Sequence, residues 1–244
     1  MSSLGRTSIG DLIPIKDNVP TTGFPVVTVG LIVANVLFYF LYQHGGITTV
    51  PEGPVNELAY HPCEVNDSCP VIGQDWYITA LSSMFMHASL EHLLGNMLFL
   101  WIFGNNVEDA LGRGRFFAFY LASGFVATGV QTFVTLYFGT LEDARIPNLG
   151  ASGAVSGVLG AYVVLLPRAK VITAIFVFFI LLQEVPAWVF IGVWFLFQAW
   201  SGGFSLLNPD AGGGVAFFAH IGGFLFGFFA VRLFAVRPPL RPAY

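Results

Sequence analysis

The stretch PNLGASGAVSG, residues 147–157, begins as a loop and continues into a strongly apolar run. Its distinctive residue is Ser152, which lies between Gly150 and Gly153. Small residues at four-residue spacing, such as Gly153 and Gly157, allow membrane helices to approach closely. Ser152 is therefore either a small packing residue or a nucleophile, and its surroundings in the rest of the chain must decide between the two.

The composition is typical of a membrane protein. Hydrophobic residues make up 55% of the 244 residues, charged residues make up 10%, and the mean hydropathy is +0.73. Soluble domains carry about 25% charged residues. We therefore expect the chain to lie in a lipid bilayer and to have no nucleic-acid partner.

Six apolar stretches are candidates for membrane-spanning helices, each of which needs roughly 20 mainly apolar residues. They lie at residues 24–42, 88–103, 116–138, 151–167, 186–200 and 215–234. We interpret residues 171–183, which are followed by Glu184 and Pro186, as interfacial or re-entrant because this stretch is short for a crossing. The sequence predicts an all-α membrane protein, a bundle of six transmembrane helices with a large external loop after the first helix.

The basic residues predict the orientation, because short cytoplasmic loops are enriched in Lys and Arg. With six spans, nine of the ten basic residues fall on one side and only Arg145 falls on the other. We expect a cytoplasmic N-terminal segment at 1–23, a membrane domain at 24–234 and a short cytoplasmic tail at 235–244. Residues 1–23 lack the apolar region of a signal peptide, so the first span is expected to be an uncleaved anchor in the cell membrane.

The predicted external loop, residues 43–86, contains five acidic residues and no Lys or Arg. Both cysteines of the chain, Cys63 and Cys69, lie in its segment HPCEVNDSCP. An exported loop meets oxidising conditions, which favours a local disulfide between them. Free thiols, or a metal site that includes His61, are the alternatives.

Four polar residues of the predicted spans lie at a similar depth. Spans two, four and six run inward from the outer face, and their first turns contain His92 and Asn96, Ser152, and His220 respectively. At about 1.5 Å per residue, all four lie within roughly 10–15 Å of that face. His92 and Asn96 are four residues apart, so both point from one helix face. Each of these four residues could serve packing or interhelical hydrogen bonding. Ionisable residues inside a membrane are rare and usually functional, so we also consider the four residues a candidate functional site.

Several other chemistries lack their motifs. The HExxH motif of zinc proteases is absent, and no span contains the Asp residues that an aspartyl dyad requires. There is no phosphate-binding P-loop, and Ala154 breaks the GxSxG pattern of soluble hydrolases. A transport relay needs a carboxylate inside the membrane, whereas Glu91 and Glu184 lie near span ends.

Three motifs resemble those of the rhomboid family of intramembrane serine proteases. They are GASG at 150–153, HLLGN at 92–96 and AHIGGFLFG at 219–227, and the segment FGNNVEDALGRGRF at 103–116 is also similar to the family. The resemblance extends from the first span to the sixth. It implies a rhomboid-like fold.

The resemblance also implies the roles of the polar residues. Ser152 is expected to be the nucleophile and His220 its base, without a third acidic residue. An oxyanion hole is expected from His92, Asn96 and the Ser152 backbone N–H. The supporting glycines are Gly150, which shapes the loop, and the packing residues Gly153, Gly223 and Gly227. Some rhomboids have a Tyr four residues after the nucleophile, stacked on the catalytic histidine, and this chain has Ser156 at that position. No cofactor or metal is implied.

The implied function is cleavage of transmembrane proteins near the outer membrane face. Substrates are expected to be transmembrane helices that unwind easily, because a cleaved peptide must be locally extended. Hydrolysis needs water, so we expect the glycine-rich loop 208–215 to be a mobile cover and the fifth span to act as a lateral gate. The alternative is a catalytically silent rhomboid-like protein that binds membrane clients.

Overall fold

The computed structural model describes residues 12–70, 73–176, 180–207, 216–238 and 242, and it is mostly helical. The helices are α1 (Val26–Leu37), α2 (Glu52–Leu58), α3 (Trp76–Ser82), α4 (Leu90–Leu111), α5 (Arg113–Phe138), α6 (Leu141–Arg145), α7 (Ser152–Leu165), α8 (Ala187–Leu207) and α9 (Phe217–Phe234). A π-helical turn, Phe38–Tyr42, continues α1, and short 3₁₀ turns lie at Pro62–Glu64 and Ser83–Phe85.

Six of these helices, α1, α4, α5, α7, α8 and α9, each overlap one of the predicted spans. By length and apolar composition, three described helices can cross a membrane: Arg113–Phe138, Ala187–Phe204 and Phe217–Phe234. Val26–Tyr42 and Ser152–Leu165 are apolar but shorter. The apolar pattern therefore predicted where these helices lie, but the helices differ in length more than six spans of about 20 residues each would.

The prediction of an all-α fold is wrong in one region, because the structure contains a three-stranded antiparallel sheet. Its strands are β1 (Leu12–Asp17), β2 (Lys170–Phe176) and β3 (Ile180–Pro186), in the order β1-β2-β3. The strands β2 and β3 include residues 171–176 and 180–183 of the stretch that we interpreted as interfacial or re-entrant. The segment VITAIF is rich in β-branched and aromatic residues, which favour strands, so residue type was a better guide here than apolar length.

The N-terminal strand is attached to the helical domain by a buried polar cluster. The Asp17 carboxylate accepts hydrogen bonds from the Tyr162 hydroxyl and the Asn106 side-chain amide, which belong to α7 and α4. Asn18 accepts the Lys170 backbone N–H at 2.8 Å. Burial raises the pKa of Asp17, although the hydrogen bond from Tyr162 opposes this shift. Residues 12–18 therefore pack as part of the same unit as the predicted membrane domain.

Helix α7 is the centre of the helical packing. Every residue from Gly153 to Tyr162 is buried, among contacts from α4, α5 and α9. Its contact with α9 is backbone against backbone: a Cβ added at Gly223 would lie 2.1 Å from the Gly153 carbonyl oxygen, and one at Gly227 would lie 1.9 Å from that of Gly157. These glycines set the separation of the two helices that contain Ser152 and His220.

The loop between α1 and α4 folds against the segment that precedes α7. A disulfide joins Cys63 to Cys69. Next to it, Tyr60 and Asn148 exchange two backbone hydrogen bonds, of 3.2 and 2.7 Å, and the Tyr60 hydroxyl pairs with Thr132 at 2.8 Å. The loop is thus fixed to the chain four residues before Ser152.

Candidate active site

Ser152 is the first residue of α7, and the loop before it has a conformation that requires glycine. Gly150 has φ +127°, and a Cβ added to it would lie 2.8 Å from the His92 ring. The Gly150 backbone N–H donates to the Ser83 carbonyl at 2.9 Å, and this hydrogen bond also fixes the loop. Ser152 therefore lies at the positive end of the α7 dipole, beside the His92 imidazole.

The structure brings Ser152 and His220 together. His220 lies in the first turn of α9, and its Nε2 is 2.8 Å from the Ser152 Oγ. A serine hydroxyl becomes a nucleophile when a neighbouring base accepts its proton, and an imidazole nitrogen at hydrogen-bond distance is such a base. The distance between the two side chains is therefore suitable for nucleophilic catalysis.

His92 and Asn96 lie beside this pair, on the first two turns of α4. The Ser89 side chain caps the helix by accepting the His92 backbone N–H at 3.2 Å. The His92 Nδ1 accepts the Ala88 N–H at 3.4 Å, so its Nε2 carries the proton in the neutral ring. Asn96 uses one amide N–H to donate to the His92 carbonyl at 3.0 Å, which leaves its second N–H as a donor.

A cavity of about 720 Å³ connects these four residues. We call it the active-site cavity; Ser152, His220, His92 and Asn96 all line it. The buried His87 ring packs edge-on against His92, with 5.1 Å between ring centroids. Burial lowers the pKa of His87 to about 3, so this imidazole is neutral near pH 7 and adds no positive charge beside the cavity. The four residues therefore share one site, which contains a hydroxyl, a base and hydrogen-bond donors.

Sequence reasoning missed two residues of α8 that contact His220. The Gln198 Oε1 lies 2.8 Å from the His220 Nδ1, and Gln198 is only 7% exposed. The Trp194 ring packs against the imidazole, with centroids 5.9 Å apart. Both residues lie on one helix face, four positions apart. A lone glutamine in an otherwise apolar span was the available signal for this contact.

Ser156 has a different partner from the one its family position suggests. Its hydroxyl donates to the Ser152 carbonyl at 2.6 Å, within α7. The aromatic contact to the His220 ring instead comes from Trp194, on a different helix. Where some rhomboids have a Tyr and this chain has Ser156, the aromatic residue next to His220 therefore comes from α8.

A second, larger cavity of about 1120 Å³ lies between α4 and α8, and we call it the lateral groove. Leu94 and Leu98 line its α4 side, Val193 and Phe197 line its α8 side, and Ile175 of β2 also lines it. The lateral groove shares lining residues with the active-site cavity, among them Gly95, Phe99 and Trp194. The two cavities are thus adjacent. The predicted mobile cover, residues 208–215, lies outside the described residues.

Within the described parts of the chain, no three His, Cys, Asp or Glu side chains are grouped to hold a metal ion. The supporting glycines are placed as described above, with Gly150 beside His92 and Gly153, Gly223 and Gly227 in the contact between α7 and α9. Serine, imidazole and amide side chains line the active-site cavity.

Comparisons with known proteins agree with this geometry. A family model described as the Rhomboid domain matches residues 74–237. The rhomboid protease GluP of Bacillus subtilis is 32% identical over 210 residues, which are 85% of this chain and 34% of the relative. The mitochondrial Rhomboid protein 1 of Saccharomyces cerevisiae is 35% identical over 155 residues, 62% of this chain and 40% of the relative.

The human mitochondrial presenilin-associated rhomboid-like protein is 29% identical over 209 residues, 83% of this chain and 46% of the relative. The chain thus spans less than half the length of these three relatives. The matched family region includes Ser152, His220, His92 and Asn96. Together with the apolar helices, it indicates an integral membrane protein. The chain belongs to the rhomboid family.

Proposed function

We propose that this protein is an intramembrane serine endopeptidase that cleaves transmembrane proteins near the outer membrane face. The observation that carries the proposal is the 2.8 Å contact between the Ser152 Oγ and the His220 Nε2. His92 and Asn96, which line the same cavity, supply donors for an oxyanion. A nucleophile, a base and oxyanion donors around one cavity form the set of groups that acyl transfer requires.

The proposed reaction has two halves. The Ser152 Oγ attacks the scissile carbonyl carbon while the His220 Nε2 takes the hydroxyl proton. The negative oxygen that forms is stabilised by the His92 Nε2–H, the free Asn96 N–H and the Ser152 backbone N–H. The imidazolium returns its proton to the leaving amine, and the C–N bond breaks. In the second half, His220 takes a proton from water, and the hydroxide attacks the carbonyl carbon of the acyl-enzyme. The imidazolium then returns this proton to the Ser152 Oγ as the acyl C–O bond breaks, which releases the carboxyl product and regenerates both residues.

The proposed topology has six transmembrane helices, formed around α1, α4, α5, α7, α8 and α9. Both ends of the chain then lie in the cytoplasm, and the disulfide loop and the active-site cavity lie towards the outside of the cell membrane. The charge distribution supports this orientation, because nine of the ten basic residues fall on the proposed cytoplasmic side. Residues 1–23 and 235–244 are then the cytoplasmic flanks of the membrane domain.

The proposed substrates enter through the lateral groove between α4 and α8. Its lining is mainly apolar side chains, which suit the surface of a transmembrane helix. Because this groove adjoins the active-site cavity, a helix that occupies it needs only to unwind at its outer end to reach Ser152. Helices with small or helix-breaking residues at that end are therefore the proposed substrates.

The alternative function, binding of membrane clients without cleavage, is less well supported. A silent rhomboid-like protein needs neither a nucleophile nor a base, whereas Ser152 and His220 are both present and hydrogen-bonded. Of the relatives named above, the Bacillus subtilis protein is described as a protease. Both points favour hydrolysis for this chain.

A cleavage assay with purified protein tests the proposal. Wild type should cut a transmembrane reporter, while Ser152→Ala, His220→Ala and the double variant should be equally inactive, because residues that act as a unit are not additive. A serine-directed fluorophosphonate should label wild type and not Ser152→Ala. The matched control is Ser201→Ala, a serine that lines neither cavity. Undiminished cleavage by folded, protease-free Ser152→Ala would overturn the proposal, and binding without cleavage by wild type would support the alternative.

A further inference from the structure

The hydrogen bond between Gln198 and His220 has no role in the proposed mechanism, in which Ser152 is the nucleophile and His220 the base. It lies on the far side of the imidazole from Ser152: Nε2 faces the Ser152 Oγ at 2.8 Å and Nδ1 faces the Gln198 Oε1 at 2.8 Å. Gln198 is buried, in a helix whose neighbouring positions are apolar. A buried amide costs free energy unless it is hydrogen-bonded, so this contact constrains both partners.

The contact determines which imidazole nitrogen carries the proton. A neutral imidazole has one N–H donor and one acceptor nitrogen. With the carbonyl oxygen of Gln198 towards Nδ1, the proton lies on Nδ1 and the lone pair of Nε2 faces the serine hydroxyl. The opposite tautomer would present an N–H to Ser152 and could not accept its proton. Only the first arrangement is competent as a base.

We propose that Gln198 is a positioning residue that holds His220 in its base-competent tautomer and orientation. This inference rests on the proposed protease function. In serine proteases with a triad, a buried acceptor on the second imidazole nitrogen serves the same purpose. Here the acceptor is a neutral amide, and it comes from α8 rather than from α7 or α9.

The position of Gln198 also links the catalytic base to the wall of the lateral groove. Gln198 and Trp194 line this groove, and both contact His220. An outward displacement of α8 would therefore lengthen the bond to Nδ1 and withdraw the aromatic contact together. The orientation of His220 therefore depends on the position of α8 against α9.

Substitutions at Gln198 test the inference. Gln198→Leu keeps approximate volume and removes the acceptor, so kcat should fall by roughly 10- to 100-fold, the loss expected when a buried hydrogen-bonding group is left unsatisfied. KM should change little. The rate of fluorophosphonate labelling at Ser152 should fall in parallel, because that reaction also needs the base. Leu196→Ala, on the exposed face of the same helix, is the matched control.

The conservative variant Gln198→Glu separates positioning from packing. Its carboxylate is an acceptor in either orientation, so activity should be close to wild type near neutral pH. The acid limb of its kcat/KM profile should move to higher pH, because a carboxylate favours the protonated imidazole. The other groups that face His220 are Ser152 from α7, Trp194 from α8 and His92 from α4, and among these three only His92 has an ionisable ring.

Nitrogen-15 NMR of the His220 ring provides a readout that does not depend on substrate. Wild type should show a protonated Nδ1 and an unprotonated Nε2, and Gln198→Leu should show a mixture of tautomers. Wild-type kcat and labelling rate in Gln198→Leu, or a change in KM alone, would overturn the inference. If wild type is neither labelled nor active, the proposed function fails, and the tautomer measurement still decides whether Gln198 positions the ring.

Discussion

Substitution of Gly223 by alanine should separate Ser152 from His220 without changing either residue. The new Cβ would lie 2.1 Å from the Gly153 carbonyl oxygen and 3.0 Å from its carbon. The obstacle is backbone, so no side-chain rotation relieves it. Helix α9 must move away from α7 by about 1 Å to bring this distance to 3.0 Å, below which Cβ contacts are essentially never seen. Gly223 lies one turn beyond His220, and Gly153 adjoins Ser152, so the displacement is transmitted directly to the pair.

The size of the effect follows from that displacement. A shift of about 1 Å takes the present 2.8 Å contact beyond hydrogen-bond range. A misplacement of this size costs on the order of 100-fold in rate. Overpacking should also destabilise the fold by about 1–3 kcal/mol. We expect Gly223→Ala to remain folded with a strongly reduced kcat.

The assay compares initial rates of reporter cleavage and of fluorophosphonate labelling, with thermal unfolding measured on the same samples. Gly129→Ala in α5 is the matched control, because a Cβ added there meets no atom within 4 Å. Its rate and stability should equal those of wild type. A Gly223→Ala variant with wild-type rate and wild-type thermal midpoint would refute the proposed contact between α7 and α9.

Three further predictions concern the donors and the external loop. Asn96→Ala should lower the cleavage rate by roughly 10²–10³-fold, the usual cost of one oxyanion donor, and complete inactivity equal to Ser152→Ala would contradict a role limited to donation. Replacing Cys63 and Cys69 together by serine should destabilise the loop by about 2 kcal/mol. It should also slow the labelling of Ser152, because the loop is hydrogen-bonded to Asn148. Unchanged unfolding and labelling would argue against this coupling. Burial lowers the pKa of His61 below 6.5, against the opposing effect of Glu64, so the unfolded state binds the extra proton and stability falls as pH decreases below 6.5. His61→Gln should flatten that pH dependence of the thermal midpoint, and an equal slope in both proteins would exclude His61 as its source.

The parts of the fold that depend on long apolar stretches could be predicted from the sequence. All six predicted spans overlap a helix, because apolar length is a local property that a single stretch reveals. The sheet was not predicted, because β1 pairs with residues more than 150 positions away: Asp17, for example, pairs with Val171. Local apolarity of the stretch 171–183 could not reveal a partner in the N-terminal segment.

The candidate site also has a part that the sequence predicts and a part that it does not. Ser152, His220, His92 and Asn96 lie within motifs, so their juxtaposition could be inferred from the common depth of three spans. Gln198 belongs to no motif, and its contact with His220 depends on the rotation of α8 about its own axis. Hydrophobicity constrains that rotation weakly in a span that is apolar on nearly every face. Tertiary contacts were therefore needed to find it.

The shared lining of the two cavities has a consequence for inhibitor chemistry. Gly95, Phe99 and Trp194 border both the active-site cavity and the lateral groove. One compound could therefore place an electrophilic head group at Ser152 and an apolar tail between α4 and α8. The head group would meet residues that belong to the family motifs, whereas the tail would meet side chains such as Leu98, Val193 and Phe197 that lie outside them. Selectivity among members of the rhomboid family would then come from the tail, and potency from the head group.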